Sequence, residues 1–488
     1  MKRYIIGLDE GTTSCRSVLY DTKTNSILDI VGASIKQYYP NLGWVEQDAE
    51  EIWSQQYYTF KKVLSENKIK PDEVIGVGIT NQRETIVAWE RNTGKPVYRA
   101  IVWQCRRTSK YIENLPNDIL QKIKAKTGLI ADAYFSASKI KWIIDNVPRI
   151  KSLIKQNNLC IGTIDSYLCY KLTGKFYTDT TNASRTMLFN IHTLEWDDEL
   201  LEYFSIPKNV LPEVVDSNYT VGNLIDFPEI PLCAMIGDQQ SSLFGQACFD
   251  KGMAKATYGT GCFVLLNTGT KPASIDKMLT TVGYTINGKT NYALEGSVFS
   301  ACNTINWMQK NLNLFEKVGE TENIAYSVPD TDGVYFVPAF TGLGAPYWDS
   351  DARATIIGMT LNTTKAHIIR AGLESMAYNV KAILDEMKNG GQSVSQLNVD
   401  GGGSRNNFLL QFQADMINKP VVKNSNTEAT AMGAIYMVLL ATNTATLKDI
   451  RNMVYTSKTF NSNITAKTRN ALYTKWTKAV GRTLDWAE

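Results

Sequence analysis

The residues best suited to chemistry near the start of the chain lie in LDEGTTS, from Leu8 to Ser14. Gly11 lets a ligand come close to the backbone. Thr12, Thr13 and Ser14 set three hydroxyls beside free backbone N–H groups, a combination that cradles phosphate oxygens. Asp9 adds a carboxylate beside that cradle, where Mg²⁺ with its waters fits between protein and phosphate. The same device recurs in KATYGTGCFVLLN, from Lys255 to Asn267, with Gly259, Thr260 and Gly261 at its centre. A third Gly-rich stretch, Gly401-Gly402-Gly403-Ser404-Arg405-Asn406, lacks the last glycine of a dinucleotide fingerprint. It leads onto an expected helix N-terminus, whose N–H groups and positive dipole end suit a nucleotide phosphate or ribose. GYTINGKT at Gly283–Thr290 fits the P-loop spacing, but Asn287-Gly288 is a hairpin signal. That segment is therefore expected to run strand, turn, strand and to hold no phosphate.

A second set of residues suits a small hydroxylated acceptor. Thr80-Asn81-Gln82-Arg83-Glu84-Thr85 follows an apolar strand, and α/β proteins place ligands at the carboxyl ends of such strands. Arg83 donates and Glu84 accepts, so together they read hydroxyls. Trp103 offers a flat face to the C–H side of a small polyol, and Tyr134 a phenol donor. Another apolar strand, Pro231–Gly237, is expected to deliver Asp238-Gln239-Gln240 to a turn, where Asp238 is a candidate base for an alcohol. Each of these residues also has a plainer use: a surface ion pair, core packing, a helix cap.

These groups need elements to hold them. Tyr4-Ile5-Ile6 and Ser17–Tyr20 flank the first turn as strands, and the second Gly-Thr turn has similar flanks. Two such hairpins predict two related domains, 1–247 and 248–488, meeting near Gly245–Gly252 and sharing a cleft. Asp48 is placed to cap a helix with Glu51 in its first turn and Ile52, Trp53, Phe60, Val63 and Leu64 on one stripe. Val74–Thr80 reads as a buried strand, Ala366–Leu384 as a long helix, and Leu397–Val399 as a strand followed by a helix from about Asn406. Such alternation predicts an α/β fold.

Composition narrows the function classes. With 488 residues the chain exceeds one ordinary core, and a formal charge of +3 leaves no electrostatic footprint for nucleic acid. No signal peptide is expected, since only a brief apolar run follows Lys2 and Arg3 before Asp9, and no membrane insertion, since the apolar stretch Ala434–Ala441 is too short to span a bilayer. Eight scattered cysteines without a CxxC pair point to reduced thiols and a cytoplasmic protein. His192 and His367 are the only histidines, which argues against a zinc site or a histidine-based triad and leaves a carboxylate as general base.

Over nearly its whole length the chain resembles the glycerol kinases of the FGGY carbohydrate kinase family. LDEGTTS, ITNQRET at Ile79, TGKPVYRAIVWQCRRT at Thr93, TNASRTMLFNIHTLEWDDELL at Thr181, GDQQSSLFGQ at Gly237, TYGTGCFVLLNTG at Thr257, PAFTGLGAPYWD at Pro338 and VDGGGSRNNFLLQFQADM at Val399 carry the likeness. The resemblance implies two actin-like, ribonuclease-H-like domains with ATP and glycerol in the cleft between them. It places glycerol at Arg83, Glu84, Trp103, Tyr134, Asp238, Gln239 and Phe263, with Asp238 as base, and Mg²⁺ near Asp9. The phosphates fall to Thr12, Thr13, Ser14 and Arg16, and other nucleotide contacts to Gly259, Thr260, Gly402 and Asn406. Cys302 and Asn306 stand on the nucleotide side where Gly and Gln are usual, and Glu10 stands where Gln is usual and adds negative charge unless it points away. A dimer or tetramer is a family expectation. Two other readings stay open: a kinase for another polyol or ketose, and an actin-like ATPase with no small-molecule acceptor.

Overall fold

The computed structural model describes residues 2–425 and 428–487. Two sheets organise the chain, and both grow from one of the Gly-Thr hairpins. In the first, Tyr4–Glu10 pairs antiparallel with Ser14–Asp21, which pairs with Ser26–Ser34. On its other side lie Val74–Asn81 and then Pro231–Gly237, both parallel to the neighbouring strand. In the second, Met253–Tyr258 pairs antiparallel with Cys262–Gly269, which pairs with Lys289–Val298. Gln396–Asp400 and Val421–Asn424 then follow in parallel. The strand order is thus repeated: each sheet ends in an antiparallel edge strand, Gly222–Asn223 in the first and Thr456–Phe460 in the second, and Leu279–Ile286 is added at the other edge of the second. Central parallel strands are covered on both faces, which is why VIGVGIT and PLCAMIG are unbroken apolar runs.

The local readings of the sequence hold where the signal is a cap or a turn. Asp48 accepts hydrogen bonds from Glu50 N and Glu51 N at the start of the helix Ala49–Glu66, which buries Ile52, Phe60, Val63 and Leu64. The GYTINGKT segment is a hairpin whose turn residues Asn287 and Gly288 have φ of 49° and 74°. The predicted long helix spans Lys365–Asn389. One expectation is corrected: Asp238-Gln239-Gln240 do not form a turn. They open the helix Asp238–Gly245 directly after Gly237, whose extended backbone ends the strand.

The apolar stretch at Ala434 lies in the helix Ala429–Ala441, buried almost all round. It packs against the first sheet, joining Ile5, Val18, Ala234, Ile236 and Phe244 in one core with Ala431, Ile435, Val438 and Leu439. It also crosses the helix Asp238–Gly245 at very short range. A Cβ on Gly245 would lie 2.0 Å from Ala429 O, and one on Gly433 2.0 Å from Ser241 O, so neither position admits a side chain. Each half has its own sheet, but a helix of the second half completes the core of the first. A smaller five-stranded sheet, including Ile86–Glu90 and Leu159–Thr163, and the helices Asn117–Thr127 and Ser136–Asn146 form a further layer with its own core. Among the described residues, no helix is long and apolar enough to cross a membrane.

Candidate functional site

Register brings the first group of residues together. Asp9 lies opposite Thr80, and both Glu10 and Gly237 lie opposite Asn81, so the strands that precede Gly11, Arg83 and Asp238 end side by side. Asp9 also faces Arg16 across the hairpin and forms an ion pair with it. The other arm of Arg16 reaches Glu428, in the second half, at 2.5 Å. Burial pushes the Asp9 carboxyl up, while Arg16 opposes it. Gly11 N–H donates to Ser14 O at 2.9 Å and closes the turn, with Thr13 and Ser14 exposed at its tip.

Glu10 is fully buried and points away from the exposed turn tip. Its Oε1 accepts from Gln82 Nε2 at 3.1 Å, and Oε2 has no protein partner. Burial drives its carboxyl well above the usual range, with Asp9 and Asp238 acting in the same direction. Burial thus disfavours the charged form of Glu10.

Several of the candidate acceptor residues converge on Arg83. Its guanidinium makes a two-point contact with Glu295, at 2.6 and 3.1 Å, and donates to Gln240 Oε1 at 3.2 Å and Tyr134 Oη at 3.4 Å. Its Nε lies 3.1 Å from Asp238 Oδ1. Glu84 Oε1 accepts from Arg185 Nε at 2.6 Å, and Arg185 also reaches Glu295 Oε1 at 3.0 Å. Two arginines and two glutamates thus form a closed, buried, neutral square, and Asp238 sits at its rim with its side chain 28% exposed. Burial works against the Glu295 carboxylate, but Arg185 and Arg83 outweigh it and hold it at about 2. Asp238 is pushed up by its removal from water, with Arg83 and Lys255 pulling it back.

Aromatic rings wall this cluster. Trp103 and Tyr134 meet edge to face at 5.6 Å, and Arg185 lies over the Tyr134 and Phe135 rings. Trp103 Nε1–H donates to Thr12 Oγ1 at 2.9 Å, which ties the aromatic wall to the first turn. The second sheet closes the other side. Phe263 pairs with Thr257 and Ser297, and Lys255 and Glu295 both pair with Leu265, so these side chains share one sheet face. Lys255 is buried there, and its Nζ donates to Thr257 Oγ1 at 2.8 Å and to Gln239 Oε1. An ammonium only donates, so it fixes the carbonyl end of the Gln239 amide.

The remaining turns meet around Tyr258. Cys302 N–H donates to Gly259 O at 3.1 Å and Ala301 N–H to Thr260 O at 2.9 Å, so the start of the helix Cys302–Lys310 supports the second Gly-Thr turn. Gly401 has φ of 80°, and a Cβ there would lie 2.6 Å from Tyr258 O. Gly402 is exposed with open space around its Cβ position. Cys302 packs beside Gly403, with Sγ 3.5 Å from Tyr258 O, and Asn306 is exposed one turn along the helix. Asn406 caps the helix Asn407–Ile417, accepting from Leu409 N at 3.0 Å and donating to Thr321 Oγ1 at 3.3 Å.

Three participants escaped the sequence reading: Arg185, Glu295 and Lys255. A signal existed for two of them, since a single charge inside an apolar strand, as in YALEGSV and MAKATY, is costly unless something meets it. Among the described residues, no cluster of three or more His, Cys, Asp or Glu could hold a metal by itself. One carboxylate beside a hydroxyl-lined turn nonetheless fits Mg²⁺, which is commonly held by one or two carboxylates together with substrate phosphates.

Residues 4–245 match the N-terminal domain of the FGGY family of carbohydrate kinases, and residues 254–442 match its C-terminal domain. The chain is 48% identical to the glycerol kinase of Carboxydothermus hydrogenoformans, over 99% of both chains. It is 46% identical to that of Thermococcus gammatolerans, over 100% of this chain and 99% of the other. The crystal structure of Plasmodium falciparum glycerol kinase with ADP superposes with a TM-score of 0.92 at 37% identity, covering 99% of this chain and 98% of that one.

Proposed function

The chain belongs to the FGGY family of carbohydrate kinases, and from that premise we propose that it transfers the γ-phosphoryl group of ATP to glycerol, giving sn-glycerol 3-phosphate and ADP. Its fold is that of two actin-like lobes, and we take them as 1–247 and 248–488 with the substrates between them. One observation carries the reading. Arg83 touches both Asp238 and Tyr134, Tyr134 meets Trp103, and Trp103 donates to Thr12. A continuous set of contacts therefore joins a candidate base, an aromatic-walled notch and a phosphate-type turn.

In this reading Arg83, Glu84, Trp103, Tyr134, Gln239 and Phe263 hold glycerol, and Asp238 orients its primary hydroxyl. That oxygen attacks the γ-phosphorus in line through a loose transition state, so positioning and charge neutralisation supply most of the rate. Asp238 accepts the hydroxyl proton. Thr12, Thr13, Ser14 and Arg16 face the transferring group, and Gly259, Thr260, Gly402 and Asn406 the rest of the nucleotide, with Cys302 and Asn306 at its edge. Asp9 would hold Mg²⁺, which when bound neutralises charge on the phosphate oxygens. A cytoplasmic enzyme of two or four copies belongs to the same reading, and light scattering on purified protein counts the copies.

The test is stoichiometric ADP release that depends on glycerol, measured beside erythritol and xylulose. Faster turnover of either alternative at equal concentration, or ADP release without any acceptor, would overturn the assignment.

A further inference from the structure

Glu84 has an unusual backbone. Its φ is 60°, and Thr85 N–H donates back to Arg83 O at 2.8 Å, which makes Glu84 the centre of a γ-turn of the strained, positive-φ kind. Strain of this sort persists only where the surroundings hold it. The Glu84 carbonyl accepts from Lys139 Nζ at 3.0 Å and from Ser136 Oγ at 3.3 Å. The same ammonium donates to Tyr134 O at 2.5 Å. Lys139 lies on the helix Ser136–Asn146 and is completely buried.

A buried lysine is ordinarily matched by a carboxylate. Among the described residues no ion pair involves Lys139. Its charge is spent on two main-chain carbonyls, and burial lowers its pKa to about 7. Those carbonyls belong to Glu84, which follows a strand of the first sheet, and to Tyr134, which precedes the helix. Arg83 and Arg185 fix the side-chain ends of the pair, and Lys139 fixes the backbone ends.

We propose that Lys139 is a positioning residue for the acceptor: it holds the strained Glu84 turn and Tyr134 in one register, and so sets how tightly glycerol is held without touching it. The inference rests on the assignment of Glu84 and Tyr134 to glycerol in the preceding subsection.

Steady-state kinetics of Lys139→Met test it. The glycerol KM is expected to rise about tenfold or more while the ATP KM stays within about twofold, a split that general loss of structure would not give. Lys139→Gln, which keeps N–H donors but is shorter and uncharged, should fall between Met and wild type. Ser136→Ala should move glycerol KM in the same direction by a smaller factor, and it reads the same contact if Lys139→Met does not fold. In a Glu84→Gln background, which by itself tests the acceptor assignment, Lys139→Met should add much less than its effect in wild type. Parallel rises in both KM values, or an unchanged glycerol KM in a folded Lys139→Met, would overturn the proposal. An unchanged glycerol KM in Glu84→Gln would instead remove Glu84 from the acceptor site.

Discussion

Arg83 and Glu295 come from different sheets and meet in a two-point ion pair of 2.6 and 3.1 Å, fully out of solvent. Arg83 follows a parallel strand of the first half, and Glu295 stands inside an antiparallel strand of the second. The pair therefore joins the two halves directly beneath Asp238. A planar guanidinium against a carboxylate is directional, so the contact sets orientation as well as distance.

Removing Glu295 leaves Arg83 and Arg185 facing each other with only Glu84 between them. Glu295→Ala should lower stability by about 3–5 kcal/mol, the usual range for breaking a buried pair from one side. Calorimetry checks the loss, and isothermal titration should show glycerol binding lost with it. A variant as stable as the wild type would mean that water enters and replaces the carboxylate.

Asp238→Asn keeps the shape and a hydrogen-bonding oxygen but no longer accepts a proton. Its kcat is expected to fall by about 10²–10⁴, the usual worth of a positioned base, with glycerol binding retained. Rapid-quench measurement of the chemical step separates this from slow product release. Wild-type turnover would remove Asp238 as the base.

The pH dependence follows from the surroundings of Asp238. Loss of water raises its carboxyl, and Arg83 and Lys255 pull it down. A base works when deprotonated, so activity should fall as pH drops through this raised value. Lys255→Met removes one of the two opposing charges, so the carboxyl should rise further and the acid limb of kcat/KM move to higher pH. An unmoved limb would show that Lys255 serves only to hold Gln239.

The two adjacent glycines Gly401 and Gly402 should respond differently. At Gly401 an alanine meets Tyr258 O at 2.6 Å with φ at 80°, whereas at Gly402 it meets open space. Gly401→Ala should raise the ATP KM about tenfold or more and lower thermal stability, through strain at the turn. Gly402→Ala should leave stability unchanged and affect only nucleotide binding, since its exposed face is where a ligand would approach. Differential scanning fluorimetry with and without ATP distinguishes the two.

What the sequence determined by itself is local in origin. Turn chemistry specified both Gly-Thr hairpins and excluded a P-loop at Gly283, because Asn287-Gly288 adopts the paired positive φ values that such a turn requires. Asp48 named its helix because a cap acts within one turn of chain. Alternating apolar strands and helices announced the α/β class, and runs ending in NQRE and DQQ marked strand ends that carry polar groups. The tertiary structure alone decided which charges face each other. Glu295 and Arg185 stand in segments far from Arg83 and Glu84 along the chain, and pairing across distant elements leaves no periodicity in either partner. The structure also shows that Glu10 is buried against Gln82, and that the helix Ala429–Ala441 completes the other half's core. Burial, and with it the sign of a charge's contribution, depends on what packs from outside the segment, which no short stretch of sequence contains.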